Sequence, residues 1–222
     1  MAAAGGVGLA LAILRSPAAA APPLARAAAG LLRQLASSDG VKAELVEAGG
    51  LQDIKALLQR HADAPAVVEQ VRRAGAGRGR RRRCGCKSRG TRWRRRLGPS
   101  ALLPLDLPIP GPTLPLQALG LLAAATLRNP EASAAALEGG VADAVLVAAR
   151  GLLGSKEGRA GAAERQACMA LRNMAGRCPE LRPALLQRGA EPLLRSIKRA
   201  HPSCADVGSA ALRDLGLENY ND

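Results

Sequence analysis

The cysteines and histidines are the first residues to test for chemistry. The chain carries five Cys, at Cys84, Cys86, Cys168, Cys178 and Cys204, and two His, at His61 and His201. A structural zinc site draws on closely paired Cys joined by a second Cys or His pair. Here Cys84 and Cys86 form a C-x-C pair, and neither His lies near it. The odd number and irregular spacing point to reduced, structural thiols in a reducing compartment, with no metal site. Cys178 precedes Pro179 at the start of a helical stretch, where a thiolate can be stabilised; the preferred reading is a structural or capping role. Ser, His and Asp show no triad pattern. The Gly-rich GAGRGR at 75–80 neither follows a strand nor opens a helix, so it is no phosphate loop. These residues predict a non-catalytic protein with no cofactor, no metal and no small-molecule substrate.

Charge is the next candidate. The formal net charge is +14, which suggests nucleic acid or an anionic surface as partner. It is not evenly spread. Segment 71–117 holds thirteen Arg or Lys against one acid, Asp106, and the other 175 residues carry only +2. Within the segment, Arg80, Arg81, Arg82, Arg83, Arg94, Arg95 and Arg96 would hold nucleic-acid phosphates without sequence preference or act as a nuclear-localisation signal. Trp93 is the one stacking side chain nearby, so base readout has little support.

The elements that must position these groups read as helices. Phe is absent and there is one Trp and one Tyr, so the core must be aliphatic, which suits close-packed helices better than a β-sandwich. AAERQACMALRNMAGR at 162–177 places apolar residues at Ala163, Ala167, Ala170, Leu171, Met174 and Ala175, the stripe of an amphipathic helix. Cys178-Pro179-Glu180 opens a short helix, LRPALLQRG, that stops at Gly189, and AEPLLRSIKRA follows as a third. The same order occurs earlier. Pro22-Pro23 opens LARAAAGLLRQLA, Ser37-Ser38-Asp39 supplies an N-cap for VKAELVEA, Gly49-Gly50 ends it, and LQDIKALLQRHA follows. It recurs from Ala118 through Asn129-Pro130-Glu131 and Gly139-Gly140, and a partial triplet closes the chain at Cys204–Gly216.

The ALRNMA core, the N-P-E or C-P-E helix opening and the closing Gly together resemble the armadillo-repeat family. That resemblance implies an all-α, right-handed α-solenoid of armadillo/HEAT type with about three and a half repeats, and a cytoplasmic or nuclear protein–protein interaction scaffold that binds a protein or peptide segment on its concave surface. In such proteins an Asn on each third helix grips the ligand backbone, with a Trp one turn earlier. The positions matching that Asn are Gln34, Ala124, Asn173 and Asp214. Asn173 fits, while Gln34 and Asp214 retain hydrogen-bonding capacity. The Trp position holds small or flexible residues such as Met169, which argues against the nuclear-import type of groove. Arg33, Arg172 and Arg213 stand one residue before these positions and could form a basic stripe for an acidic partner segment.

Segment 71–117 interrupts this pattern with an Arg-rich run and then a Pro-rich run that no helix interior accepts. It is expected to be a disordered insert. Without it, APAVVEQ joins ALGLLAAAT as one amphipathic helix. Gly49 and Gly139 lie 90 positions apart, and 43 without the segment, inside the armadillo period of about 40–47. At the codon level Val71-Arg72 fits a splice donor, the Leu/Pro-rich run a pyrimidine tract and Gln117 an acceptor, so the segment reads as a translated retained intron. The expected organisation is a low-complexity or partial N-terminal segment at 1–21, a first repeat region at 22–70, the insert at 71–117 and a second repeat region at 118–222. Met1–Leu14 lacks the basic start of a signal peptide and is too short to span a membrane, though Ala18–Ala21 resembles a cleavage site. It reads as a frayed terminus or part of a preceding helix. No membrane partner is expected.

Overall fold

Alanine and leucine decide which side of each stretch is hidden from water, and the computed structural model of the chain turns that pattern into helices. It describes residues 4–17, 21–62, 114–153 and 160–220. Among these residues the structure is all-helical, without a strand. The helices are α1 (Ala4–Arg15), α2 (Pro22–Leu35), α3 (Asp39–Glu47), α4 (Gly50–Ala62), α5 (Leu114–Thr126), α6 (Pro130–Glu138), α7 (Val141–Leu152), α8 (Ala160–Arg177), α9 (Arg182–Gln187), α10 (Ala190–Ala200) and α11 (Ala205–Asp214). Short 3-10 turns at Pro179–Leu181 and Pro202–Cys204 lead into α9 and α11. The described residues belong to one unit, Met1–Pro65 with Pro112–Asp222. The intervening Ala66–Gly111, with the Arg clusters Arg80–Arg83 and Arg94–Arg96, lies outside the described residues.

Sequence sets the helix starts. Asn129 accepts a hydrogen bond from the Ala132 amide through Oδ1 at 3.0 Å, and Pro130 occupies a first-turn position whose missing N–H costs nothing. Pro22 and Pro23 start α2 in the same way. The turns between α3 and α4, α6 and α7, and α9 and α10 pass through Gly49, Gly140 and Gly189, at φ of 75°, 69° and 83°. This left-handed backbone favours residues without a Cβ. It lets α7 leave α6 at 77°.

Helix contacts run in series. α2 packs on α5, α5 on α8 and α8 on α11. In parallel α1 packs on α4, α4 on α7 and α7 on α10, while α3 meets α6. One aliphatic core runs through all of them, with Leu11, Leu32, Ile54, Leu58, Leu119, Leu122, Leu146, Leu171, Met174 and Leu185 essentially without exposure. Each buried leucine contributes roughly 1.5–3 kcal/mol of transfer free energy. Ala123, Ala125, Ala163, Ala167 and Ala170 are buried on α5 and α8, and their small side chains permit close approach of the two helices.

Of the two readings of Met1–Leu14, a frayed terminus or part of a helix, the structure shows a helix: α1 buries Val7, Ala10, Leu11 and Leu14 in the core. Two expectations shift. The boundary at residue 117 is too late, because Leu114–Gln117 form the first turn of α5 and Leu114 is buried. Pro115 falls within that first turn, where its lack of an N–H breaks no helical bond. Ser38 holds the N-cap position of α3 but its side chain makes no capping bond. The closing turn does fall at Gly139-Gly140, with Gly140 as its left-handed residue. The expected helical stretch APAVVEQ lies outside the described residues.

Candidate partner-binding surface

The candidate surface begins with the helices that pack in series, α2, α5, α8 and α11. Arg33 on α2 lies along Gly120 of α5, where any Cβ would meet its Cδ at 3.0 Å, and its Nη1 is 3.5 Å from Gln117 Oε1. Gln34 beside it is exposed. On α8 Asn173 is half-buried and donates from Nδ2 to the Ala123 carbonyl of α5 at 2.8 Å. Its amide therefore ties two helices together, leaving the side-chain carbonyl for any further partner. Arg172 donates from Nε to Asp214 Oδ2 of α11 at 3.0 Å. Arg213 stands 3.4 Å from the other oxygen of the same carboxylate.

Arg172 and Arg213 remain 44% and 56% exposed, whereas Asp214 is 22% exposed. The basic stripe thus contains an acid between two of its members, and Arg33 is separated from them by α5. Together these groups present donors and an acceptor, not a uniformly positive face. Leu31 on α2 and Met169 on α8 add exposed apolar area, 47% and 37%.

A second set of contacts was not anticipated. Arg15 of α1 donates from Nη2 to the Ala48 carbonyl. Lys55 of α4 donates from Nζ to the Gly139 carbonyl at 2.8 Å, and Arg150 of α7 from Nη2 to the Arg188 carbonyl at 3.2 Å. Each acceptor immediately precedes a left-handed glycine, Gly49, Gly140 or Gly189. In every case a cation from one helix satisfies the turn of the next segment. From α10, Arg195 donates to the Asn219 carbonyl at 2.8 Å and Lys198 to the Tyr220 carbonyl at 2.5 Å, although no left-handed glycine follows these acceptors. For Lys55 and Arg150 the sequence signal is a basic residue in a helix that follows a turn glycine, a feature easily mistaken for a solvated face; Arg15 on α1 has no such glycine before it.

Cys168, Cys178 and Cys204 are free and buried. Burial pushes the Cys168 thiol up to about 12 and raises those of Cys178 and Cys204. Cys178 donates from Sγ to the Pro130 carbonyl at 3.8 Å, so its place before Pro179 does not yield an activated thiolate. Among the described residues, no three His, Cys, Asp or Glu side chains are grouped to hold a metal ion, and no single helix is long and apolar enough to cross a membrane. Comparison with protein-family models, with curated proteins and with solved structures found no match.

Proposed function

We propose that this chain is a non-catalytic binding module of armadillo type, a right-handed solenoid of about three and a half repeats that holds a protein or peptide segment along α2, α5, α8 and α11. The observation that carries the reading is the serial packing of these four helices, with matching series of α1, α4, α7 and α10 beside them. The recurring clamp on the turn carbonyl supports it. Lys55 and Gly139 are 84 positions apart against 33 and 38 for the other two pairs, and discounting 71–117 brings the three into line. Such units cannot bury their apolar faces alone and do so by stacking.

The partner this surface suits has mixed polarity. An extended segment could accept bonds from Arg172 and Arg213, donate to Asp214 and set an apolar side chain against Met169 or Leu31. Its compartment is cytoplasmic or nuclear. The test is site-specific photo-crosslinking in cells from Gln34, Met169 and Arg213, with Gln59 on α4 as the control. One partner captured from the first three sites and absent from the fourth supports the reading. Equal capture from all four overturns it.

A second reading rests on the +12 of segment 71–117, which would bind RNA or DNA phosphates. A salt-sensitive RNA shift lost on deleting Arg72–Arg96 supports that reading.

A further inference from the structure

Glu164 is the most deeply buried acid among the described residues, with no exposure. It lies in the first turns of α8, facing His201 between α10 and the Pro202–Cys204 turn. Its Oε2 is 2.8 Å from His201 Nε2. The approach is close but poorly directed: neither Glu164 oxygen nor His201 Nε2 forms a hydrogen bond. The imidazole lies over Gly161, where an added Cβ would meet Nδ1 at 3.3 Å.

The surroundings form a joint between the start of α8 and residues 201–206. Cys204 donates from Sγ to the Gly161 carbonyl at 3.2 Å. Arg165 donates to the Ser203 carbonyl at 2.7 Å and grips Asp206 with both Nη atoms, at 2.7 and 2.8 Å. Among the described residues, the other charged and titratable groups here are Arg165 and Cys168 on α8 and Cys204 and Asp206 at the start of α11. Arg165 and Asp206 neutralise each other, and the thiols are held protonated by burial. No charged side chain from α5, α6 or α7 acts on the Glu164 carboxylate.

We propose that the Glu164–His201 contact is a proton-sensitive latch: proton uptake tightens the docking of the 201–214 segment on α8, and proton loss loosens it. An ionised carboxylate buried without a hydrogen bond is costly, whereas the neutral acid is far less so. Burial accordingly raises the Glu164 carboxyl above its ordinary value, and His201 partly offsets this. A raised folded-state value means that the stabilising contribution is complete below the unfolded carboxyl range and is lost as pH rises through the folded one. For a single proton the limiting effect is about tenfold in the opening equilibrium per pH unit.

Hydrogen exchange of the full chain across pH 5 to 8.5, corrected for intrinsic rates, tests this. Protection of 201–214 should fall several-fold towards high pH, and Glu164→Gln should flatten the profile while raising protection at the alkaline end. His201→Gln retains the carboxylate but removes its partner, so the transition should move to higher pH. Asp206→Asn should lower protection equally across pH 5 to 8.5. A flat wild-type profile, or a Glu164→Gln profile that keeps the wild-type slope, overturns the proposal. If Glu164→Gln does not fold, an unmoved His201→Gln transition does the same.

Discussion

Arg172 and Asp214 are 42 positions apart in the chain and 3.0 Å apart in space. Arg165 and Asp206, at 41 positions, and Arg15 and Asp53, at 38, repeat the relationship. In each case an Arg meets an acid on the next helix of its series, so these pairs fix the register between neighbouring helices as well as adding attraction. The energies are modest because the groups are partly exposed. A double-mutant cycle on Arg172→Ala and Asp214→Ala should give a coupling of about 0.2–1 kcal/mol, read by denaturant unfolding and shrinking in high salt.

The Arg165–Asp206 pair gives an acid-limb prediction. Two charge-assisted bonds from Arg165 hold the Asp206 carboxyl down at about 2, against an ordinary value of 3.8. The lowered value means that stabilisation is present above the unfolded carboxyl range and fades as pH falls towards about 2. Asp206→Asn should therefore lower the melting temperature at pH 6, with the difference from wild type narrowing between pH 4 and 2. A constant difference across that range would show that the pair contributes nothing through ionisation.

Glycines should divide by backbone conformation. Gly189 sits at φ 83°, and Gly189→Ala should cost about 1–2 kcal/mol from the left-handed conformation. Gly151 lies near the end of α7 with nothing within 4 Å of a built Cβ. Gly151→Ala should be neutral or stabilising by up to about 0.5–1 kcal/mol. Thermal melts of the two variants in parallel decide the point.

In the core, Leu122→Ala on α5 should cost about 2–5 kcal/mol, since a fully buried leucine leaves a cavity. Leu127→Ala should cost far less, because Leu127 is 47% exposed.

Segment 71–117 is testable by its absence. In a chain without it, Gln70 takes the register of Gln117 and Val67 that of Leu114. Tryptic peptides from expressing tissue should include the joined HADAPAVVEQALGLLAAATLR. Finding HADAPAVVEQVR in its place would make the Arg-rich segment a genuine part of the protein. The shortened chain should also melt more cooperatively than the full one.

Helix existence was readable because α8, α4 and α10 carry long amphipathic stripes closed by Pro and Gly, signals local to each stretch. α1 was left open between a frayed end and a helix since Ala and Gly carry little hydrophobic contrast, and only packing on α2 and α4 shows what Val7 and Leu11 do. Pro115 made the start of α5 read as insert, although a first turn tolerates it. At the candidate surface the recurrence of Arg33, Arg172 and Arg213 was visible in the sequence. That Asp214 would answer two of them was not, because their pairing depends on which helix follows which in space. Asn173 was identified as a polar position, but its bond to the Ala123 carbonyl required knowing that α5 lies alongside α8.

The clamps from Arg15, Lys55 and Arg150 have an evolutionary corollary. Their acceptors are main-chain carbonyls, at a residue whose side chain is Ala, Gly or Arg in the three instances. The acceptor survives almost any substitution at that position, so donor and acceptor need not change in concert. Only the reach and charge of the donor are constrained, and Lys serves as well as Arg. Neighbouring segments joined in this way can change side chains at the turn while keeping the same contact between them.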